Sequence, residues 1–245
     1  MSPTAGTIDL RDLSKDIDGV EFKYTLETAD EAKVPEFFGG VLGRPKRRKV
    51  YFYDTRKLKL FNAGLVLRAR VTQGEDDDST VKVRPASLDR HAPWREGKGV
   101  VVELDVSGKG PMCSAKGEGT PKHGHAEAVE AGRRPVGALF SSQQEKLLHL
   151  YAKGVKLDEL KVLGPVDARK WELDKLDGFP YTLCVEEWTL PDTTRFIELS
   201  IKADRKDAPR AKAAFDKLLR RHKITVVKGK EQKTPLVLKF FADRL

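Results

Sequence analysis

Apolar and polar residues alternate along much of this chain in runs of six to eight, the period of a strand with one buried face. From Val20 to Leu26, Val20, Phe22, Tyr24 and Leu26 fall on one side and Glu21, Lys23 and Thr25 on the other. Lys49 to Asp54 is aromatic and β-prone. Leu65 to Val71 sets Leu65, Leu67, Ala69 and Val71 against Val66, Arg68 and Arg70, and Ser79 to Arg84 sets Val81 and Val83 against Thr80, Lys82 and Arg84. The acidic turn Gly74 to Asp78 between them reads as a hairpin loop. Val100 to Val106 carries Glu103 and Asp105 on one face. With Val162 to Leu173, Tyr181 to Leu190 and Arg195 to Lys202, the pattern predicts about eight strands, a number that suits a closed barrel.

Helical spacing appears between the strands. Ala211, Ala214, Phe215, Leu218 and Leu219 predict a helix from Ala208 to about His222, with Asp207 as its N-cap. A second begins after Ser141 or Ser142, and a weaker one is expected within Ala29 to Phe38 despite Pro35. Ser107 to Pro135, rich in Gly, Lys and Pro, reads as a long and partly mobile insertion. Residues 1 to about 17 read as a loosely attached tail, so the expected organisation is an N-terminal tail, 1–18, and one domain, 19–245.

Composition narrows the class. Of the 245 residues, 39% are hydrophobic, enough for a sizeable core, yet 34% are charged, more than an ordinary surface needs. The start of the chain lacks the apolar core of a signal peptide, and no run approaches the roughly 20 apolar residues of a membrane span, so a cytoplasmic protein without a membrane partner is expected. Cys113 and Cys184 are too few for a disulfide framework and are read as buried free thiols. A net charge of +9 calls for an anionic partner. Nucleic acid is disfavoured because the basic clusters Lys46 to Lys49 and Arg220 to Lys223 are short and read as solvated surface, the second suiting a helix C-terminus.

The polar faces of successive strands read Glu21/Lys23, Arg68/Arg70, Lys82/Arg84, Glu103/Asp105, Lys170, Glu186 and Glu198/Lys202. On an isolated sheet such a face would meet water. In a closed barrel whose apolar outside is covered by helices it would face the interior, where water, counter-ions or a ligand must satisfy it. Lys170 competes with Arg169, and Glu186 with Glu187, for the inward position. His123 and His125 are read as loop residues without metal partners, and His91, His149 and His222 belong to no recognisable triad. Trp94, Trp171 and Trp188 are read as packing residues.

Taken together these segments resemble the CYTH, or triphosphate tunnel metalloenzyme, superfamily, which includes inorganic triphosphatases, thiamine triphosphatases and one class of adenylyl cyclase. The resemblance rests on YFYDTRKLKLFNAGLVLRAR (Tyr51 to Arg70), similar to the family's aromatic-Asp-Thr strand, Gly and paired-arginine strand. VEFKYTL stands at the N-terminal Glu-x-Glu-x-Lys position, TVKVRP resembles the lysine strand, VELDV the acidic strand, and RFIELSIK the C-terminal Glu-x-Glu strand. Two departures stand out. Gly19 and Ser200 occupy positions of family glutamates, so each Glu-x-Glu pair is halved.

The resemblance implies an α+β fold, a closed antiparallel eight-stranded barrel with helices packed outside. It implies a metal-dependent phosphohydrolase acting on inorganic triphosphate or a related compound. Lys23, Arg68, Arg70, Lys82, Arg84, Lys170 and Lys202 are its expected substrate-binding residues. Glu21 and Glu198 are expected ligands of Mg²⁺ or Mn²⁺, with Glu103, Asp105 and Glu186 as catalytic candidates. A non-catalytic polyphosphate or phosphometabolite receptor and a CYTH-type adenylyl cyclase are the alternatives.

Overall fold

The computed structural model describes residues 9–26, 42–87, 99–174, 176–226 and 233–245. Nine strands form one closed barrel: β1 (Gly19–Thr25), β2 (Lys46–Asp54), β3 (Leu65–Thr72), β4 (Asp78–Val83), β5 (Val100–Ser107), β6 (Gly110–Gly119), β7 (Lys161–Leu173), β8 (Leu183–Thr189) and β9 (Arg195–Asp204). Around the barrel they run β1, β5, β6, β4, β3, β2, β7, β8, β9 and back to β1. Every pairing is antiparallel except β1 with β5, where Glu21 lies beside Asp105 in parallel register. The α-helices among the described residues are α1 (Lys59–Asn62), α2 (His125–Glu130), α3 (Ser142–Tyr151), α4 (Ala208–Arg221) and α5 (Lys233–Ala242).

The strand count corrects the expectation of eight antiparallel strands, and the difference lies in the segment read as an insertion. Ser107 to Pro135 contains β6 and α2. Two of its glycines, Gly117 and Gly119, lie where another element comes close. A Cβ on Gly119 would sit 2.6 Å from Gln144 Oε1, and one on Gly117 would touch Leu147 at 3.4 Å, so α3 lies directly on this strand. Gly64, in the connection between β2 and β3, has φ +81°, and a Cβ there would stand 2.4 Å from the Arg84 carbonyl oxygen. That close approach lets Arg84 N donate to Gly64 O at 2.7 Å.

Alternation assigns the two barrel faces. On the outside, Val20, Phe22 and Tyr24 join Leu183, Val185, Leu199 and Ile201 beneath Ala211, Phe215, Leu218 and Leu219 of α4. Tyr51, Tyr53, Leu65, Leu67, Val81 and Val102 form a second outer cluster beneath Leu147 and Leu148 of α3. A third cluster joins Val50, Phe52, Val166, Ala168 and Trp188 to Val237, Leu238 and Ala242 of α5. Val50 and Phe52 alternate with Tyr51 and Tyr53, so α5 packs against inward-facing residues at one end of the barrel. The helices thus lie outside the strands as expected, α3 and α4 on the flanks and α5 against one end.

Several local expectations change as well. Leu13 and Ile17 are buried in the α4 cluster, and the Asp18 carboxylate accepts from Val102 N at 2.8 Å, so residues 9–17 are docked, not loosely attached. Asp207 precedes α4 as expected but makes no side-chain cap bond, because its carboxylate accepts from Tyr181 Oη at 2.7 Å. The expected helix within Ala29 to Phe38 lies outside the described residues. No described helix is long and apolar enough to cross a membrane.

A buried polar tie between helix and barrel is made by Gln144. Ser141 and Gln144 form a capping box at the start of α3. The buried Gln144 amide also donates to Ser79 O at 3.1 Å and to Gly117 O at 3.2 Å, while its oxygen accepts from Ser141 N at 2.8 Å. Gln144→Leu keeps the volume and leaves these buried groups unpaired. It should cost about 3 kcal/mol, a fall in Tm of roughly 6–12 °C for a chain of this size. Thermal melts of parent and variant check this; an unchanged Tm would show that water replaces the amide.

Candidate functional site

The inward faces of the strands enclose a cavity of about 800 Å³. Glu21, Lys23, Arg68, Arg70, Lys82, Arg84, Glu103, Lys170, Glu186, Glu198 and Lys202 all line it. Asp105 lies at its edge, almost wholly buried, with its carboxylate against three of the lining cations. The competing positions resolve through register. Lys170 pairs with Glu186 across β7 and β8, while Arg169 and Glu187 turn outward and bond to each other.

At the β1–β5 side the cavity has an acidic focus. Glu21, Glu103 and Asp105 have carboxylate oxygens within 4.8 Å of one another. Cations surround them. Lys23 Nζ stands 2.5 Å from Glu21 and 3.1 Å from Asp105, and Asp105 also receives Lys82 at 3.0 Å and Arg84 at 2.8 Å. Glu103 receives Lys116 and Lys202, each at 3.2 Å. Burial alone would raise the Glu21 pKa, but Lys23 and Lys82 hold it at about 2. Three oxygen donors suit a hard divalent cation such as Mg²⁺ or Mn²⁺. Glu198, expected beside Glu21 as a metal ligand, is not in this group.

Across the cavity β3 and β4 present a cationic wall. Arg70 Nε bonds both oxygens of Asp78, at 2.8 and 2.9 Å. Arg68 is differently placed. Its buried Nε has no hydrogen-bond partner among the described residues. Burial, reinforced by Arg70, pushes its pKa down to about 9. A guanidinium in a folded protein stays protonated, so this shift marks a positive charge with too little negative charge around it. Lys82 is pushed down to about 7 by burial and by repulsion from Lys23 and Arg84, which together outweigh Asp105.

A second acidic focus lies on β8 and β9, where Glu186 and Glu198 are directly opposite. Lys233, at the start of α5, contacts both, with Glu198 at 3.1 Å, and its ammonium lies 4.2 Å from the centroid of the Trp188 ring. Arg48 adds a contact to Glu186 at 2.9 Å and donates from Nε to Thr72. Burial would raise the Glu186 carboxyl, but Lys233 and Arg48 hold it far below the carboxylate range. The neighbouring Cys184 lines the cavity half-buried, its thiol pushed up to about 11 by burial and by Glu186.

Sequence reasoning missed Arg48, Lys116, Glu118 and Lys233 as cavity residues. Arg48 belongs to the basic run expected at the surface, yet it is 5% exposed because it shares a face with Val50 and Phe52. Extending the aromatic strand by one inward position would have found it. The family segment's Asp54 is structural, since its carboxylate accepts from Thr55 N at 2.6 Å, Leu60 N at 2.9 Å and Phe61 N at 2.8 Å and so secures α1. His123 is exposed with Nδ1 3.4 Å from Asp77, and His125 lies 3.4 Å from Ala138 O; neither joins the acidic cluster. His91 and Trp94 lie outside the described residues.

No family model and no curated protein sequence matches the chain. Solved structures do. A candidate adenylyl cyclase of Hippeastrum, described as having a dominant triphosphatase activity, superposes with a TM-score of 0.62 at 16% identity, covering 89% of this chain and 93% of the other. A candidate adenylate cyclase of Bacillus halodurans superposes with a TM-score of 0.60 at 15% identity, covering 90% and 97%. At such identities the likeness is one of backbone architecture, and it extends over nearly the whole of both chains. The closed barrel, with its charged inner face, therefore shares the fold of these two proteins, as the resemblance to the CYTH superfamily implies.

Proposed function

We propose that the tunnel binds the triphosphate group of a small molecule and hydrolyses its terminal phosphoanhydride bond with the help of a divalent cation. The observation that carries this reading is Arg68, a half-buried cation in the tunnel wall whose buried Nε has no partner among the described residues and whose charge is under-compensated. A polyphosphate supplies what it lacks, because the planar guanidinium matches phosphate oxygens. Arg70, Lys82, Arg84 and Lys170 extend the same wall along the cavity.

Hydrolysis requires water to attack the terminal phosphorus as the bond to the bridging oxygen breaks, giving diphosphate and orthophosphate. The basic wall would bind the chain and draw charge off its non-bridging oxygens. Glu21, Glu103 and Asp105 would hold Mg²⁺ or Mn²⁺, which supplies further charge neutralisation. A carboxylate of this focus would orient the water. Glu186, bound to Lys233 and Arg48, would instead fix those two cations toward the substrate.

A non-catalytic phosphate receptor is the second reading, favoured by the contacts of Asp105 with Lys23, Lys82 and Arg84, which leave little room for a metal. A release screen separates the two. Inorganic triphosphate, longer polyphosphates, thiamine triphosphate and nucleoside triphosphates are incubated with Mg²⁺ or Mn²⁺, and orthophosphate, pyrophosphate and cyclic nucleotide are measured. Orthophosphate that disappears with chelator supports the hydrolase, cyclic nucleotide with pyrophosphate indicates a cyclase, and binding without products indicates a receptor.

Binding is tested first without metal. Triphosphate should raise Tm more than equimolar orthophosphate does, since only the longer anion spans several wall cations. Arg68→Ala should weaken triphosphate binding roughly 10- to 150-fold, the loss of one buried charge-assisted contact of about 1.5–3 kcal/mol. Unchanged affinity on calorimetry would remove Arg68 from the site.

The pH dependence has a defined sign. Lys82, depressed to about 7, is charged below that pH and increasingly neutral above it, and bound triphosphate favours the charged form. Metal-free affinity should therefore fall as pH rises from 7 to 9, by up to about tenfold per pH unit for one linked proton. Triphosphate titrates in the same range, so the comparison is with Lys82→Met. The parent's slope should exceed the variant's; identical slopes would show that Lys82 takes up no proton on binding.

A further inference from the structure

The two acidic foci of the tunnel differ in how their charge is met. At Glu186 and Glu198 the neutralising group is an ammonium carried by a helix. Lys233 is 7% exposed, and its Nζ contacts both carboxylates and lies against the Trp188 ring. Burial by itself would lower its pKa, but Glu186 and Glu198 raise it, so the ammonium is held charged. Val237, Leu238 and Ala242 of the same helix are packed among Val50, Phe52 and Trp188. The ammonium is thus delivered by a packed element at a fixed point on the inner wall.

A divalent ion binding to Glu186 and Glu198 would need the same oxygens that Lys233 holds. Both cannot bind there at once. Arg48 supplies a second positive charge to Glu186, so two carboxylates already face two fixed cations. The residue opposite Cys184 on β9 is Ser200, two positions from Glu198 on the same face, and its hydroxyl adds no negative charge for a metal. At the other focus three carboxylates converge on one point.

We propose that Lys233 is a resident cation of the tunnel, standing at Glu186 and Glu198 in place of a second divalent ion, so that the site takes a single divalent ion at Glu21, Glu103 and Asp105. The position of that single ion rests on the reading given above; the role of Lys233 does not. In a triphosphate complex Lys233 would present a permanent positive charge to phosphate oxygens at this end of the cavity, where a two-metal site would present an exchangeable one.

The test is Mn²⁺ stoichiometry without phosphate, by calorimetry and by electron paramagnetic resonance, on the parent, Lys233→Arg, Lys233→Met and Lys233→Met/Glu198→Gln, each checked for folding by circular dichroism. Parent and Lys233→Arg should bind one ion. Lys233→Met should bind one more than the parent, and adding Glu198→Gln should abolish the extra site. Equal stoichiometry in parent and Lys233→Met, or two ions in the parent, would overturn the proposal. If the parent binds none and Lys233→Met binds one, the resident-cation role stands and the metal-dependent hydrolase reading falls. A measurement on the parent alone covers the case in which Lys233→Met does not fold. The ¹⁵N ammonium resonance of Lys233 should persist at saturating Mg²⁺ because the contacts are retained, and its loss to solvent exchange would mean that the metal displaces Lys233.

Discussion

A closed barrel built from strands that carry lysine, arginine, glutamate and aspartate at alternate positions must bring those charges face to face. Moving a single ion out of water costs several kcal/mol even after relaxation, so such an interior is tolerable only where opposite charges neutralise one another. Here Asp105 faces Lys23, Lys82 and Arg84, Arg70 faces Asp78, and Glu186 faces Lys233 and Arg48. The outer apolar face must in turn be covered, which α3 and α4 accomplish. The site follows from the same constraint, because neutralisation is incomplete at Arg68, where the barrel carries positive charge in excess of its own carboxylates.

Period-two alternation made most of this interior legible before any coordinates. It placed Glu21, Lys23, Arg68, Arg70, Lys82 and Glu103 on one face because each strand is long enough for its apolar partners to declare the other. It failed where the outward residues are small. In β6, Cys113, Ala115 and Gly117 give hardly any hydrophobic signal, and at Gly117 and Gly119 α3 lies close against the strand. Lys116 and Glu118 were lost with it. Arg48 was lost because four consecutive basic residues look alike in sequence, and only register separates the buried one from its neighbours. Lys233 could not be found by strand logic, since it enters the tunnel from a helix distant in sequence from the wall it completes.

The segment carrying the family resemblance divides into two kinds of residue. Asp54 and Gly64 fix the connection between β2 and β3, one by accepting three backbone N–H groups and the other by allowing a backbone contact that any side chain would block. Arg68 and Arg70 then fall at inward positions of β3 because that connection sets the strand's register. The recognisable motif is thus a device for aiming arginines as much as a set of binding groups. The halved glutamate pairs show the reverse. Gly19 has an ordinary φ, but a Cβ there would stand 3.3 Å from the Ala203 carbonyl oxygen, so a side chain enters only if that backbone gives slightly, whereas Ser200 lines the open cavity.

The parallel seam between β1 and β5 governs the order in which this barrel can be assembled. β1 also pairs with β9, through contacts from Gly19 with Asp204 to Thr25 with Glu198, so the first of the described strands is held on one side by the last. Synthesis must pass residue 204 before the cylinder can close. Until then β1 has an open hydrogen-bonding edge, and the wall that will become the interior remains hydrated. Contacts spanning nearly the whole chain make folding slow relative to a barrel of sequential hairpins, because the entropy of joining distant segments is lost before their contacts can compensate. The charged cavity therefore takes shape in the final step, when β1 and β9 meet.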